Sequence, residues 1–147
     1  MGVTPSVVDN LAEKSRARNL PFRVEGEHPH RVFVFDPLHE NGFSVGVTED
    51  DDGWVVSFGE NGTHDRVREA TNLFEIVAFA LSDSARLREV WRGSFWQAGI
   101  LENKTPHGWD RVTETGLIFF PFWRPKLTTI RQNAIIQDYQ PTNPETD

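Results

Sequence analysis

The segment TNLFEIVAFALSDS, residues 71–84, has the strongest helical period in the chain. Leu73, Val77, Ala80 and Leu81 form one stripe with Phe74 beside it, and Ile76 and Phe79 widen the stripe until most of the circumference is apolar. Thr71 stands where it can cap the first turn. A helix this apolar has to be covered, and the chain on either side reads as sheet. Residues 22–25, 31–36, 43–48 and 54–58 alternate with period two, and so do residues 87–91, 96–102, 109–113, 117–123 and 127–136 after the helix. DPLHENG and EDDDG supply turns in the first set, and RGS after Trp91 supplies one in the second.

Thr4 and Pro5 read as cap and first position of a further, amphipathic helix that carries Val7, Val8, Leu11 and Ser15 and ends before Pro21. The expected architecture is therefore α+β: antiparallel β-meanders packed around a central buried helix, with an N-terminal amphipathic helix. Residues 1–136 make a single domain in this reading, and the polar, proline-punctuated residues 137–147 a flexible tail. Residues 43–62 and 96–116 can be aligned as an internal repeat, with Gly46 on Gly99 and Trp54 on Trp109, although hairpins also converge on such patterns.

Composition excludes whole classes of chemistry. The 147 residues contain no cysteine, so disulfides, thiolate nucleophiles, iron–sulfur clusters and cysteine-based zinc sites are ruled out. No run reaches the roughly 18–20 apolar residues a helical membrane span requires, and the N-terminal stretch has no signal-type apolar core. The expectation is a cytoplasmic protein without a membrane partner. The net charge of −7 is unevenly spread: residues 20–83 hold thirteen acids and four bases, residues 84–137 four acids and eight bases. That asymmetry serves either a charged partner or attraction between the two halves, and the second is favoured in one domain.

Histidine and carboxylate clusters fall short of known sites. His28 and His30, with His39 and Glu40 downstream, resemble a metal-binding His-x-His strand, but Val34 and Phe35 stand where a cupin would place its Glu. Glu49, Asp50, Asp51 and Asp52 fail the calcium-loop template at both ends and read as a solvated turn. His64 beside Asp65 is a dipeptide, and a triad needs convergence in space. No nucleophile elbow, phosphate loop or dinucleotide fingerprint occurs, so no catalytic residue, metal or cofactor is assigned.

The second half interleaves rings and bases. Trp91, Phe95, Trp96 and Trp123 alternate with Arg86, Arg88, Arg92, Arg124, Lys126 and Arg131. Such platforms suit single-stranded nucleic acid, yet the acidic whole disfavours it and the rings are expected mainly as core. In GLIFFPFWRPK, residues 116–126, Leu117 to Phe120 read as a buried strand that Pro121 interrupts. Phe122, Trp123 and Arg124 remain for a partner.

The motifs FALSDSARLREVWRG, HGW and TGLIFFPFW resemble small, uncharacterised bacterial proteins that share a Leu-Ser segment followed by Arg-Leu, Gly-Trp hairpins and a Phe-rich strand. The resemblance covers residues 43–133, supports one α+β domain, and implies no activity, cofactor or catalytic residue. The expected function is a non-enzymatic protein–protein binding or regulatory module of the immunity or antitoxin type. It offers the acidic residues 25–83 to a protein partner or a second copy. The alternative is a small-ligand or single-stranded nucleic-acid binder that uses Trp91, Trp96, Phe122, Trp123 and Arg124. A hydrolase built on His28, His30 and His64 comes third.

Overall fold

The computed structural model describes residues 7–27 and 31–136. The described elements are α1 (Val7–Ala17), β1 (Arg23–Glu25), β2 (Val32–Phe35), β3 (Val45–Asp50), β4 (Gly53–Phe58), β5 (Thr63–Val67), α2 (Ala70–Ala80), β6 (Ala85–Arg92), β7 (Phe95–Thr105), β8 (Gly108–Gly116) and β9 (Lys126–Arg131). They make an α+β fold with two antiparallel sheets, one ordered β1-β2-β3-β4-β5 and the other β8-β7-β6-β9.

The first sheet follows its alternation. Register aligns Phe33 with Val47 and Val47 with Val56, and Phe35 with Val45 and Val45 with Phe58, so these six side chains share one face. All six are buried, together with Leu11 and Ala12 of α1, Leu73, Val77, Phe79 and Ala80 of α2, and Ala85, Leu87 and Leu101 of the second sheet. Full burial of each large side chain stabilises by roughly 1.5–3 kcal/mol, and this cluster is the main core. On the sheet's edge, Asp36 accepts a hydrogen bond from Arg23 Nε at 2.8 Å, which raises the Arg23 pKa above its ordinary value.

Several expectations are corrected. The cap position of α2 is Glu69, which makes no side-chain capping bond, and Thr71 lies exposed inside the helix. β5 is a strand that period analysis passes over: its inward residues are Thr63, Asp65 and Val67, and only the last is apolar. The final strand ends at Arg131 and pairs with β6 rather than with β8, so the second sheet is not a simple meander. Residues 117–125 form no strand at all. Nor do the second-half rings build the core. Trp91, Phe95 and Trp96 are half-buried and Trp123 is exposed, whereas Phe33, Phe35, Phe43, Phe58 and Phe79 are buried. The His28/His30 pair, the Thr4–Pro5 cap and the 137–147 tail lie outside the described residues.

Both aligned stretches fold as hairpins, β3–β4 and β7–β8, but their glycines meet different surroundings. A Cβ on Gly46 would find nothing closer than 3.9 Å, while one on Gly99 would lie 1.7 Å from Thr63 Oγ1. Gly99 is thus a point at which β5 presses closely on the second sheet. β5 also meets β8 there, with the Thr115 hydroxyl accepting from His64 N–H at 3.2 Å.

Candidate functional site

Two features stand out, and both belong to the second sheet. The first follows from strand order. β8 lies at one edge and β9 at the other, so residues 117–125 must travel from edge to edge past the β6–β7 hairpin. The crossover is anchored at both ends: Leu117 N–H donates to Gln97 O at 2.9 Å and Gly93 N–H to Pro125 O at 2.9 Å. Midway, the Arg92 guanidinium lies over the Phe120 ring, 5.2 Å from its centre. With its ends held this way, the crossover turns its apolar side chains outward. Ile118 is 87% exposed, Phe119 89%, and Phe122 and Trp123 72% each. Leu127 and Ile130 on the adjoining edge strand are about half exposed. Phe122 and Trp123 meet edge to face at 5.4 Å, and Arg124 and Lys126 put positive charge at the border.

This corrects the reading of Leu117 to Phe120 as core. Strand parity gives that stretch two apolar faces, but it forms no strand, since β9 holds the place beside β6, and only Phe120 is half-buried. Of the residues left for a partner, Phe122, Trp123 and Arg124 are indeed exposed, and Ile118 and Phe119 join them.

The second feature is a cleft of about 380 Å³ between the loop before β3, the β4–β5 turn, and the middle of β6 and β9. Pro37, His39, Glu40, Gly42 and Phe43 form one wall, Gly59, Glu60 and Asn61 another, and Glu89, Trp91 and Arg131 the floor. Leu87, Glu89 and Trp91 follow one another on the inner face of β6. Leu87 is therefore core, while Glu89 sits at the margin where core gives way to cleft, only 2% exposed. A carboxylate so buried needs donors. Oε2 accepts from Asn61 Nδ2 at 2.8 Å and from the Trp96 indole at 3.0 Å. Oε1 has Arg131 Nε at 3.7 Å, while Arg131 Nη1 donates to the Glu40 carbonyl at 3.1 Å. His39 donates through Nε2 to the Asn133 carbonyl at 2.8 Å, which leaves Nδ1 of the neutral ring as an acceptor.

Of the aromatic residues singled out from sequence, Trp91 and Trp96 converge here, paired across the β6–β7 hairpin. Trp123 does not line the cleft and stands on the crossover instead. His64 is exposed on β5, with Nδ1 against the Gly62 carbonyl at 2.7 Å. Among the described residues, no group of three or more histidines and carboxylates is placed to hold a metal ion. Sequence reasoning missed Glu89. The signal was its parity with Leu87 and Trp91, which puts a carboxylate on an inward face.

A second buried carboxylate lies on the opposite face of the same sheet. Glu102 accepts from Arg86 Nε at 2.8 Å and from Arg88 Nε at 3.3 Å, and Arg86 stacks over Trp109 at 4.3 Å. Both donors converge on Oε1, and the cluster ties β6 to β7 on the outer face of the sheet. Further ion pairs run within one half of the chain: Arg23 with Glu25 and Asp36, Arg31 with Asp9 and Glu49, Arg66 with Asp50, and Arg111 with Glu114.

No protein-family model, curated protein or solved structure matches the chain.

Proposed function

We propose that the chain is a non-enzymatic protein-binding module whose contact surface is the 117–125 crossover and the edge strand β9. The observation that carries this reading is the outward display of Ile118, Phe119, Phe122 and Trp123. Folded monomers rarely expose contiguous apolar side chains of this size unless something covers them, and aromatic anchors with arginine at the rim are the residues that dominate protein interfaces. The surface is basic at its border, so the complementary partner is apolar at its centre and acidic at its rim. This moves the contact surface from the acidic first half of the chain to the basic second half. Pro125 and Lys126 at the start of β9 hinder indiscriminate pairing along the free edge, which favours a specific partner over open-ended sheet growth.

Phe119→Asp combined with Trp123→Asp is the test. If the rings are a contact surface, the double variant unfolds within about 0.5 kcal/mol of the wild type, as exposed substitutions do. A partner captured by the immobilised wild-type chain from its native lysate is then lost. Loss of about 3 kcal/mol or more, the usual penalty for removing a core ring, would overturn the reading. Sedimentation of the purified chain tells a second copy from a different protein: a dimer that the double variant abolishes identifies the partner as the chain itself.

A further inference from the structure

We propose that the Glu89 cleft binds an organic cation, a guanidinium or primary ammonium group, carried by a small molecule or by a basic side chain of a partner. The cleft, about 380 Å³, falls within the roughly 300–1,000 Å³ typical of small-ligand sites. Its floor is a carboxylate 98% removed from solvent, with Oε2 accepting two hydrogen bonds and Oε1 facing Arg131 Nε at 3.7 Å, an ion pair too long to be a hydrogen bond. A carboxylate oxygen with acceptor capacity to spare at the floor of a cleft is a site for a donor. Glu40 and Glu60 add two more carboxylates at the mouth and the Trp91 ring forms a wall, so the lining suits a cation and repels an anion. Arg131 is the internal precedent. The fold already pairs a guanidinium with this carboxylate at 3.7 Å, while Nη1 of the same group donates to the Glu40 carbonyl. A ligand that reaches Oε1 completes the hydrogen bond that Arg131 approaches without making.

The inference is independent of the crossover surface, because its probes are small molecules that report on the cleft alone. Methylguanidinium, n-butylammonium and isobutyrate are titrated separately into the full ¹⁵N-labelled chain at low salt, with the Trp indole N–H resonances as readout. The Trp96 indole is bonded to Glu89 and the Trp91 indole to Thr129 at 3.2 Å, so both sense the cleft. The two cations should shift these signals saturably, with dissociation constants near 1 mM, and isobutyrate should not. Glu89→Gln should weaken binding about tenfold or more, as loss of a charged hydrogen bond does. Arg131→Gln should strengthen it, since an internal competitor is gone. Should Glu89→Gln fail to fold, Glu60→Gln, at an exposed position, still has to weaken binding. The proposal is overturned if the cations produce no saturable shift, if Glu89→Gln binds like the wild type, or if isobutyrate binds and Arg131→Gln abolishes it. Agmatine separates the two sources: micromolar binding points to a free small molecule, whereas millimolar binding equal to that of methylguanidinium points to a side chain presented by a partner.

Discussion

Gly99→Ala lowers the stability of this protein by about 3 kcal/mol, at the upper end of the usual cost of overpacking. An added Cβ would sit 1.7 Å from Thr63 Oγ1, 3.0 Å from Thr63 Cβ and 3.3 Å from Thr63 Cγ2. Rotating Thr63 about χ1 moves the γ atoms but leaves its Cβ too close, so the backbone of one sheet has to retreat. Thr63 is fully buried at the junction of the sheets, and its hydroxyl has no hydrogen-bond partner among the described residues. The site therefore has no slack and no polar bond that could be exchanged for room. For a chain of this size the loss corresponds to a fall in Tm of roughly 10 °C, measurable by calorimetry. Thr63→Ala in the same chain should restore part of it, giving a coupling energy of about 1 kcal/mol or more in the double-mutant cycle. A Gly99→Ala variant as stable as the wild type would show that β5 does not press on the second sheet.

Asn133→Ala is expected to cost a similar amount, about 3 kcal/mol, by a different route. Asn133 is 2% exposed and its side chain closes three segments on one another. Oδ1 accepts from Phe43 N–H at 2.8 Å and Nδ2 donates to the Ala80 carbonyl at 3.1 Å. Truncation leaves a buried donor and a buried acceptor unpaired, each worth roughly 1–3 kcal/mol. Gly42 is part of the same arrangement, since a Cβ there would come within 2.8 Å of Asn133 Oδ1. Denaturant unfolding measures the loss. Amide exchange at Phe43 localises it, and a variant that unfolds normally with Phe43 still protected would contradict the assignment. The same loop holds His39 and Glu40 against the cleft, so Asn133→Ala should also weaken methylguanidinium binding without touching Glu89.

Neither residue announces itself in the sequence. Gly99 lies in a strand-like run and resembles Gly46, yet only one of the two is pressed by another sheet. Asn133 sits in RQNAII, an ordinary polar-to-apolar passage, and matters because the chain after β9 passes between helix α2 and the loop before β3. Gln132 N–H donating to Asn41 O at 2.7 Å and Ile135 N–H to Leu81 O at 2.8 Å mark that path. Contacts with such long sequence separation leave no local pattern. The candidate site divides the same way. Trp91 and Trp96 were visible as rings on a hairpin, while the burial of Glu89 between them depends on Asn61, which is 28 residues away in the chain.

By itself, the sequence determined what local chemistry can determine. Alternating apolar residues marked most strands of both sheets, a wide apolar stripe marked α2, and Gly93 with Ser94 marked the turn from β6 to β7. The lack of cysteine closed off thiol and disulfide chemistry. Tertiary structure alone decided that Ile118, Phe119, Phe122 and Trp123 face outward, that Thr63 to Val67 is a strand, and that a glutamate lies buried at the floor of a cleft. The physical reason is common to all three. Period and propensity describe the side chain, whereas burial describes what the rest of the chain places opposite it. Once β9 had paired with β6, the most apolar run in the second half had no surface left to cover it.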